Sequence, residues 1–302
     1  MTPIVVVKNV AKSYSEQLVL NRINFSIKRG EVVGLVGPNG SGKTTLIRLL
    51  NGVIAPDSGS ITIDGKDPIQ EGDEIRAKCG TLTEEAGLYE ELTAYQNLLF
   101  FAKLYHVQNL ERIAELLERL QLDHVQHQKV GTFSTGMKKR LQLAKVLLHQ
   151  PELLFLDEPT NGLDPEGIHL IMQIVRELNE TERTTILICS HILSQLEYLC
   201  DRFLFIEKGS IIEQGTQKEL ADRYLRRIQL RVETTYTHPE NRIGTFQYQP
   251  IAADEILFTL NSKKEIAELL SLLTQVAEVY AAEVLNRNLE TIYFEVKKKF
   301  YG

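Results

Sequence analysis

Apolar positions along the chain switch between two periods. Val5, Val7 and Val10, then Val19, Ile23, Phe25 and Ile27, sit in partly alternating β-rich runs broken by short polar stretches. That pattern predicts antiparallel strands near the N-terminus. Residues 31–36 form an almost continuous apolar run, the signature of a strand buried on both faces. A glycine-rich stretch, residues 37–42, leads into residues 43–50, whose apolar spacing suits a helix, with Gly52 placed just past its end.

From about residue 92 to 131 the period lengthens to three or four: Leu98, Phe101, Ala102 and Tyr105, then Ile113, Leu116, Leu117 and Leu120. This predicts a helical subdomain. A further helix starts near Ser134, keeps Met137, Leu141, Ala144, Leu147 and Leu148 on one face, and ends before Pro151. Residues 153–156 read as a second buried strand, 167–178 as a helix and 184–189 as another apolar strand, which makes a repeated βα pattern and a parallel sheet.

After about residue 217 the texture changes. Ile228, Leu230 and Val232 alternate with polar partners, and a Thr-, Pro- and Gly-containing stretch spans residues 234–244. Ile256, Phe258 and Leu260 predict another strand, residues 264–273 a helix and 276–284 a further strand, while 288–296 supports helix and strand equally. The expected architecture is α/β: a core of residues 1–216 with N-terminal antiparallel strands and a helical subdomain inserted at about 86–150. A small C-terminal α+β accessory domain at 217–302 completes it.

Composition narrows the function. With 302 residues, 40 acidic and 34 basic side chains and a net charge of −6, the chain shows no basic nucleic-acid footprint. Residues 184–196, the longest stretch free of Asp, Glu, Lys and Arg, fall short of the ~20 needed to span a bilayer. Residues 1–8 lack a secretory pattern. Cys79, Cys189 and Cys200 are too few and too irregular for a disulfide framework or a thiolate metal site, so a reducing cytoplasm is expected.

The chemistry is concentrated at Gly37-Pro38-Asn39-Gly40-Ser41-Gly42-Lys43-Thr44, which satisfies G-x-x-x-x-G-K-[ST] between a strand and a helix, with Thr45 next. Glycines let successive amides turn inward, and the helix start adds partial positive charge. Lys43 reaches the outer phosphates, and the Thr44 hydroxyl can ligate magnesium. Such a P-loop predicts a nucleotide-triphosphate site. Leu153-Leu154-Phe155-Leu156-Asp157-Glu158 places two carboxylates at the carboxyl end of a buried parallel strand, where α/β ligand sites form. Asp157 is expected to hold Mg²⁺, and Glu158 to orient or deprotonate the attacking water.

These motifs, in this order across roughly residues 3–220, resemble the ATP-binding subunit of an ABC transporter of the bacterial drug, peptide and ion exporter type, a P-loop NTPase fold. Phe133-Ser134-Thr135-Gly136-Met137 is similar to the family's L-S-G-G-Q signature at a helix start. The resemblance implies a head-to-tail dimer in which two ATP molecules lie between Lys43 of one subunit and Ser134 and Gly136 of the other. Tyr14 resembles the aromatic that stacks on adenine. Asp164, in Asn161-Gly162-Leu163-Asp164, resembles the acidic residue of the loop that senses the opposite site, and His191 the switch histidine that contacts the γ-phosphate.

Two positions depart from the pattern. Glu84 stands where the family commonly has a magnesium-contacting glutamine, and Thr135 and Met137 replace Gly and Gln.

The resemblance implies ATP and Mg²⁺ as cofactors, a second copy or homologous ATPase subunit, and a separate integral membrane subunit. The chain is then held peripherally at the inner face of the cell membrane, with Gly87, Leu88 and Tyr89 and residues 97–101 as candidate partner contacts. A soluble ATPase switch acting on ribosomes or DNA is the alternative. Against it, there is one set of motifs and no long insertion between Lys43 and Asp157.

Overall fold

The computed structural model describes residues 2–83, 87–225 and 227–301. The chain divides into two compact units, Met1–Gln214 and Gly215–Gly302.

In the first unit, β1 (Pro3–Tyr14) and β2 (Gln17–Lys28) form an antiparallel hairpin. β3 (Val32–Val36) is buried at every position and runs through the glycine loop into α1 (Lys43–Leu50). Then come β4 (Ser58–Ile63), α2 (Gly72–Lys78), β5 (Cys79–Leu82), α3 (Ala94–Leu104), α4 (Glu111–Arg119), α5 (Thr135–Leu147) and β6 (Leu153–Asp157). The unit closes with α6 (Pro165–Glu182), β7 (Thr185–Ser190), α7 (Leu193–Glu197), β8 (Arg202–Glu207) and β9 (Ser210–Gly215).

Two sheets result. β2-β1-β4 is antiparallel, and the second has the order β5-β6-β7-β3-β8-β9, with parallel pairing from β5 through β8. Helix α1 packs against β6 on one side and against β2 and β4 on the other. Leu46, Ile47, Leu49 and Leu50 thereby join Ile23 and Phe25 to Phe155, Leu187 and Leu204 in one continuous core. That burial pins the carboxyl ends of β3, β6 and β7 side by side. A parallel sheet flanked by helices is the architecture that the βα pattern predicts.

In the helical subdomain, Thr93 and Gln96 form a reciprocal capping box that starts α3. The fully buried Asn97 accepts from the Tyr89 N–H (2.8 Å) and donates to the Tyr89 and Thr93 carbonyls (2.9 and 3.0 Å). This network presents Tyr89 edge-on to Phe100, at 5.0 Å between rings. Phe101 stacks on Tyr105, which lies 4.8 Å from the ring of His149.

Burial pushes the His149 pKa down, opposed by its 3.1 Å contact with the Cys79 carbonyl, and its Nδ1 is buried without a partner. The unfolded chain therefore takes up this proton more readily. Stability contributed by neutral His149 is intact above about pH 6.5 and is lost as pH falls below it. Thermal unfolding against pH is expected to show a flatter acid limb for His149→Gln than for the wild type. Parallel limbs would show that the ring does not titrate in this way.

The second unit contains α8 (Gln217–Tyr224), β10 (Ile228–Thr234), β11 (Arg242–Ile243), β12 (Phe246–Pro250), β13 (Glu255–Leu260), α9 (Lys263–Val276), β14 (Val279–Val284) and α10 (Leu289–Tyr301). Its sheet runs β11-β12-β13-β10-β14, and Ile228, Leu230, Val232, Phe258, Leu269 and Leu273 form a separate core.

Two expectations change here. Residues 276–278 precede the strand: the Ser262 side chain caps α9, and the helix runs through Val276 because Leu269 and Leu273 stay on its buried face. Residues 288–296, ambiguous in period, fall mostly in α10, whose Leu289, Ile292, Tyr293 and Val296 recur at helical spacing and are buried.

Candidate functional site

The glycine loop turns the chain from β3 into α1. Gly40 and Gly42 have φ of +78° and +105°, a region closed to most L-residues. No side chain caps the start of α1, and its first turn holds no acidic residue. Its leading amides are therefore free to meet an anion. Lys43 is only 6% exposed, and its Nζ donates to the carbonyls of Gly37 (2.8 Å) and Pro38 (3.2 Å). The same ammonium lies 3.7 Å from Glu158 Oε1. The Ser41 N–H donates to the Pro38 carbonyl, closing the loop on itself.

Facing the loop, Asp157 ends β6 and is buried, and its Oδ2 accepts from the Thr44 hydroxyl at 2.7 Å. Glu158 has φ +47°, a strained backbone held by its N–H donating to the Cys189 carbonyl (3.0 Å). Its side chain turns between two partners: Oε2 lies 2.9 Å from His191 Nδ1, while Oε1 is buried with no hydrogen-bond partner.

These groups meet in a cavity of about 340 Å³ lined by Val19, Asn39, Gly40, Gly42, Lys43, Thr44, Thr45, Asp157, Glu158, Asn161 and His191. Among the described residues no cluster of three or more His, Cys, Asp or Glu is set to hold a metal ion. Thr44 and Asp157 instead offer two hard oxygens side by side. A cation that completes its shell with phosphates and water fits such a pair, as Mg²⁺ does. Buried thiols take no part: burial pushes Cys79 up to about 12 and Cys189 well above the usual thiol range.

Gly37, Pro38 and Ser41 belong to the loop without lining the cavity. Tyr14 stands at the end of β1, 42% exposed, and does not line it. Ser134 caps α5 by accepting from the Met137 N–H (3.2 Å), and Asp164 caps α6 by accepting from the Gly167 N–H (3.0 Å).

Neither cap lines the cavity, yet both belong to one contact. A Cβ on Gly136 would lie 3.4 Å from Leu163, and one on Gly162 would lie 3.3 Å from Thr135. The 161–164 loop thus touches the cavity through Asn161 and the Ser134 segment through Leu163. Glu84 lies outside the described residues. Val19, which the sequence marks only as an apolar strand position, also lines the cavity: such a residue carries no chemical signature.

A phosphate loop, a carboxylate pair at a strand end and a histidine gathered in one α/β cleft define a nucleoside-triphosphate-binding ATPase domain. The family model described as ABC transporter matches residues 20–161. The linearmycin resistance ATP-binding protein LnrL of Bacillus subtilis (strain 168) is 41% identical over 219 residues, covering 72% of this chain and 70% of its own. The uncharacterized ABC transporter ATP-binding protein YdbJ of the same strain is 36% identical over 293 residues, covering 95% and 93%. A solved dimer of the ATP-binding cassette MJ0796, in a post-hydrolysis state bound to ADP and Pi, superposes with a TM-score of 0.66 at 26% identity, covering 70% of this chain and 98% of that one. The chain belongs to the ABC transporter family, as one of its ATP-binding proteins.

Proposed function

We propose that this chain is the ATP-hydrolysing subunit of an exporter, with Mg²⁺ held by Thr44 and Asp157 and the membrane path supplied by a separate integral membrane protein. The observation that carries the reading is the placement of Glu158. Its carboxylate stands between Lys43 and His191 and lines the cavity, with one buried oxygen free of hydrogen bonds and 3.7 Å from the Lys43 ammonium. A carboxylate so placed accepts a proton from a water attacking that phosphate, and His191 holds it in position. Glu84, as a further oxygen donor to the metal, belongs to the same proposal.

Ser134 and Gly136 begin a helix away from the chain's own cavity. They complete the site of a second copy, head to tail, and the 161–164 loop links the two sites. Tyr14 supplies the adenine platform. Asp164, through its cap on α6, holds the loop's far end. Residues 1–216 act as the ATPase domain and 217–302 as an accessory domain. Among the described residues no helix is long and apolar enough to cross a membrane. The chain's place at the inner face of the membrane therefore depends on its partner. Outward transport is supported by the resistance function in LnrL's name. The soluble-switch alternative is not favoured by relatives of this kind.

The exposed rings of Phe100, Tyr105 and Tyr89, the last held through its backbone by Asn97, offer the partner an apolar, aromatic landing site. Tagged chain taken from gently solubilised membranes is expected to bring down an integral membrane protein in fixed ratio. Phe100→Glu should lower that recovery about 30-fold, the cost of one aromatic anchor. Recovery of ribosomal or DNA-associated proteins without a membrane protein would contradict the reading.

A further inference from the structure

The turn between β8 and β9 lies about 170 positions after the phosphate loop, yet it touches the loop directly. Lys208 and Gly209 have φ of +44° and +76°, two consecutive left-handed residues as in a tight type I′ hairpin turn. The Gly209 N–H donates to the Ser41 carbonyl at 3.2 Å, and the Gly209 carbonyl accepts from the Asn21 N–H at 2.7 Å. One peptide neighbourhood thus joins the phosphate loop to β2. There is no room for a side chain: a Cβ on Gly209 would stand 2.2 Å from the Val19 carbonyl oxygen and 2.9 Å from the Val19 carbonyl carbon.

The loop itself is gripped from the same two directions. A Cβ on Gly37 would fall 2.2 Å from the Ile206 carbonyl, and one on Gly42 would fall 2.5 Å from Leu20 Cδ2. β2 in turn begins in the hairpin that carries Tyr14, through the pairs Tyr14↔Gln17 and Ser13↔Leu18. Val19, at the centre of this contact, lines the cavity.

We infer that the Lys208–Gly209 turn is a positioning element of the ATP site, setting the separation between the Tyr14 hairpin and the phosphate loop so that base and triphosphate are held together. The inference rests on the assignment of residues 37–45 as the phosphate site and of Tyr14 as the base platform. Its physical content is a distance. A methyl group at Gly209 pushes β2 outward or tilts the loop, and a site no longer pre-organised to hold both ends of a ligand binds it more weakly. A ligand that reaches only the phosphate loop does not feel that separation, whereas one that also reaches Tyr14 does.

The test is calorimetric titration of the full chain with Mg-ATP and, separately, with magnesium tripolyphosphate, which has phosphates and no base. Gly209→Ala is expected to weaken ATP roughly tenfold and tripolyphosphate less than about twofold, so the ratio of the two affinities falls. Gly65→Ala is the control. Gly65 has a similar φ of +78°, but a Cβ there meets nothing within 4 Å, so it carries the backbone strain without the clash. Its ratio should match the wild type.

Equal losses for both ligands in Gly209→Ala, or no loss, would overturn the inference. If neither ligand binds the wild-type chain, it is the phosphate-site assignment that fails. Should Gly209→Ala not fold, hydrogen exchange in the wild type decides: the Asn21 and Gly209 amides are expected to slow more with ATP than with tripolyphosphate. Equal exchange with both ligands would overturn it.

Discussion

Glu158→Gln is expected to bind ATP with near wild-type affinity and to release phosphate about 10²- to 10⁴-fold more slowly, the span over which a positioned general base contributes. The substitution keeps the shape of the side chain and its place between Lys43 and His191 but removes the proton acceptor. Thr44 and Asp157, 2.7 Å apart, are untouched. Phosphate release measured at saturating Mg-ATP checks this. Unchanged turnover would remove the catalytic role from Glu158, and lost ATP affinity would make the residue a binding group instead.

Lys43→Ala is expected to act on binding. Lys43 is the one lysine or arginine among the described residues lining the cavity. It sits opposite two carboxylates, Asp157 and Glu158. Hydrogen bonds to charged groups contribute about 1.5–3 kcal/mol each, so losing this ammonium should weaken ATP by about 10- to 150-fold. The same change leaves the carboxylate pair facing the triphosphate without a counter-charge, which works in the same direction. Calorimetric titration with Mg-ATP reads the effect, and full affinity would refute the phosphate-cradle assignment.

Much of this site was legible because its determinants are local. The glycine loop needs left-handed backbone at fixed positions, and β6 needs an unbroken apolar run before its carboxylates. A residue pattern over eight or ten positions carries both. The β8–β9 hairpin carries no comparable local signature, although Phe203, Leu204, Phe205 and Ile206 are fully buried. Its meaning lies in what a glycine lacks, and Val19, the neighbour that forbids a Cβ at Gly209, is 190 residues earlier in the chain.

The place of Val19 in the cavity is not legible for a related reason: the pattern marks it as a strand residue, but it contributes a wall through the register of β2 against β1. The contact between the Ser134 segment and the 161–164 loop likewise joins two helix caps that read separately as local turn chemistry. In the second unit, alternating and helical periods overlap in residues 288–296, and burial of one face of α10 decides between them.

The dimer is the central claim, because in the proposed head-to-tail arrangement Ser134 meets the ATP of a second copy. Sedimentation velocity of the Glu158→Gln chain tests it directly, since slow turnover holds the ATP-bound state long enough to observe. The expected result is a monomer without nucleotide and a dimer at saturating Mg-ATP, with one ATP bound per chain. A chain that binds ATP stoichiometrically and stays monomeric would contradict the head-to-tail arrangement.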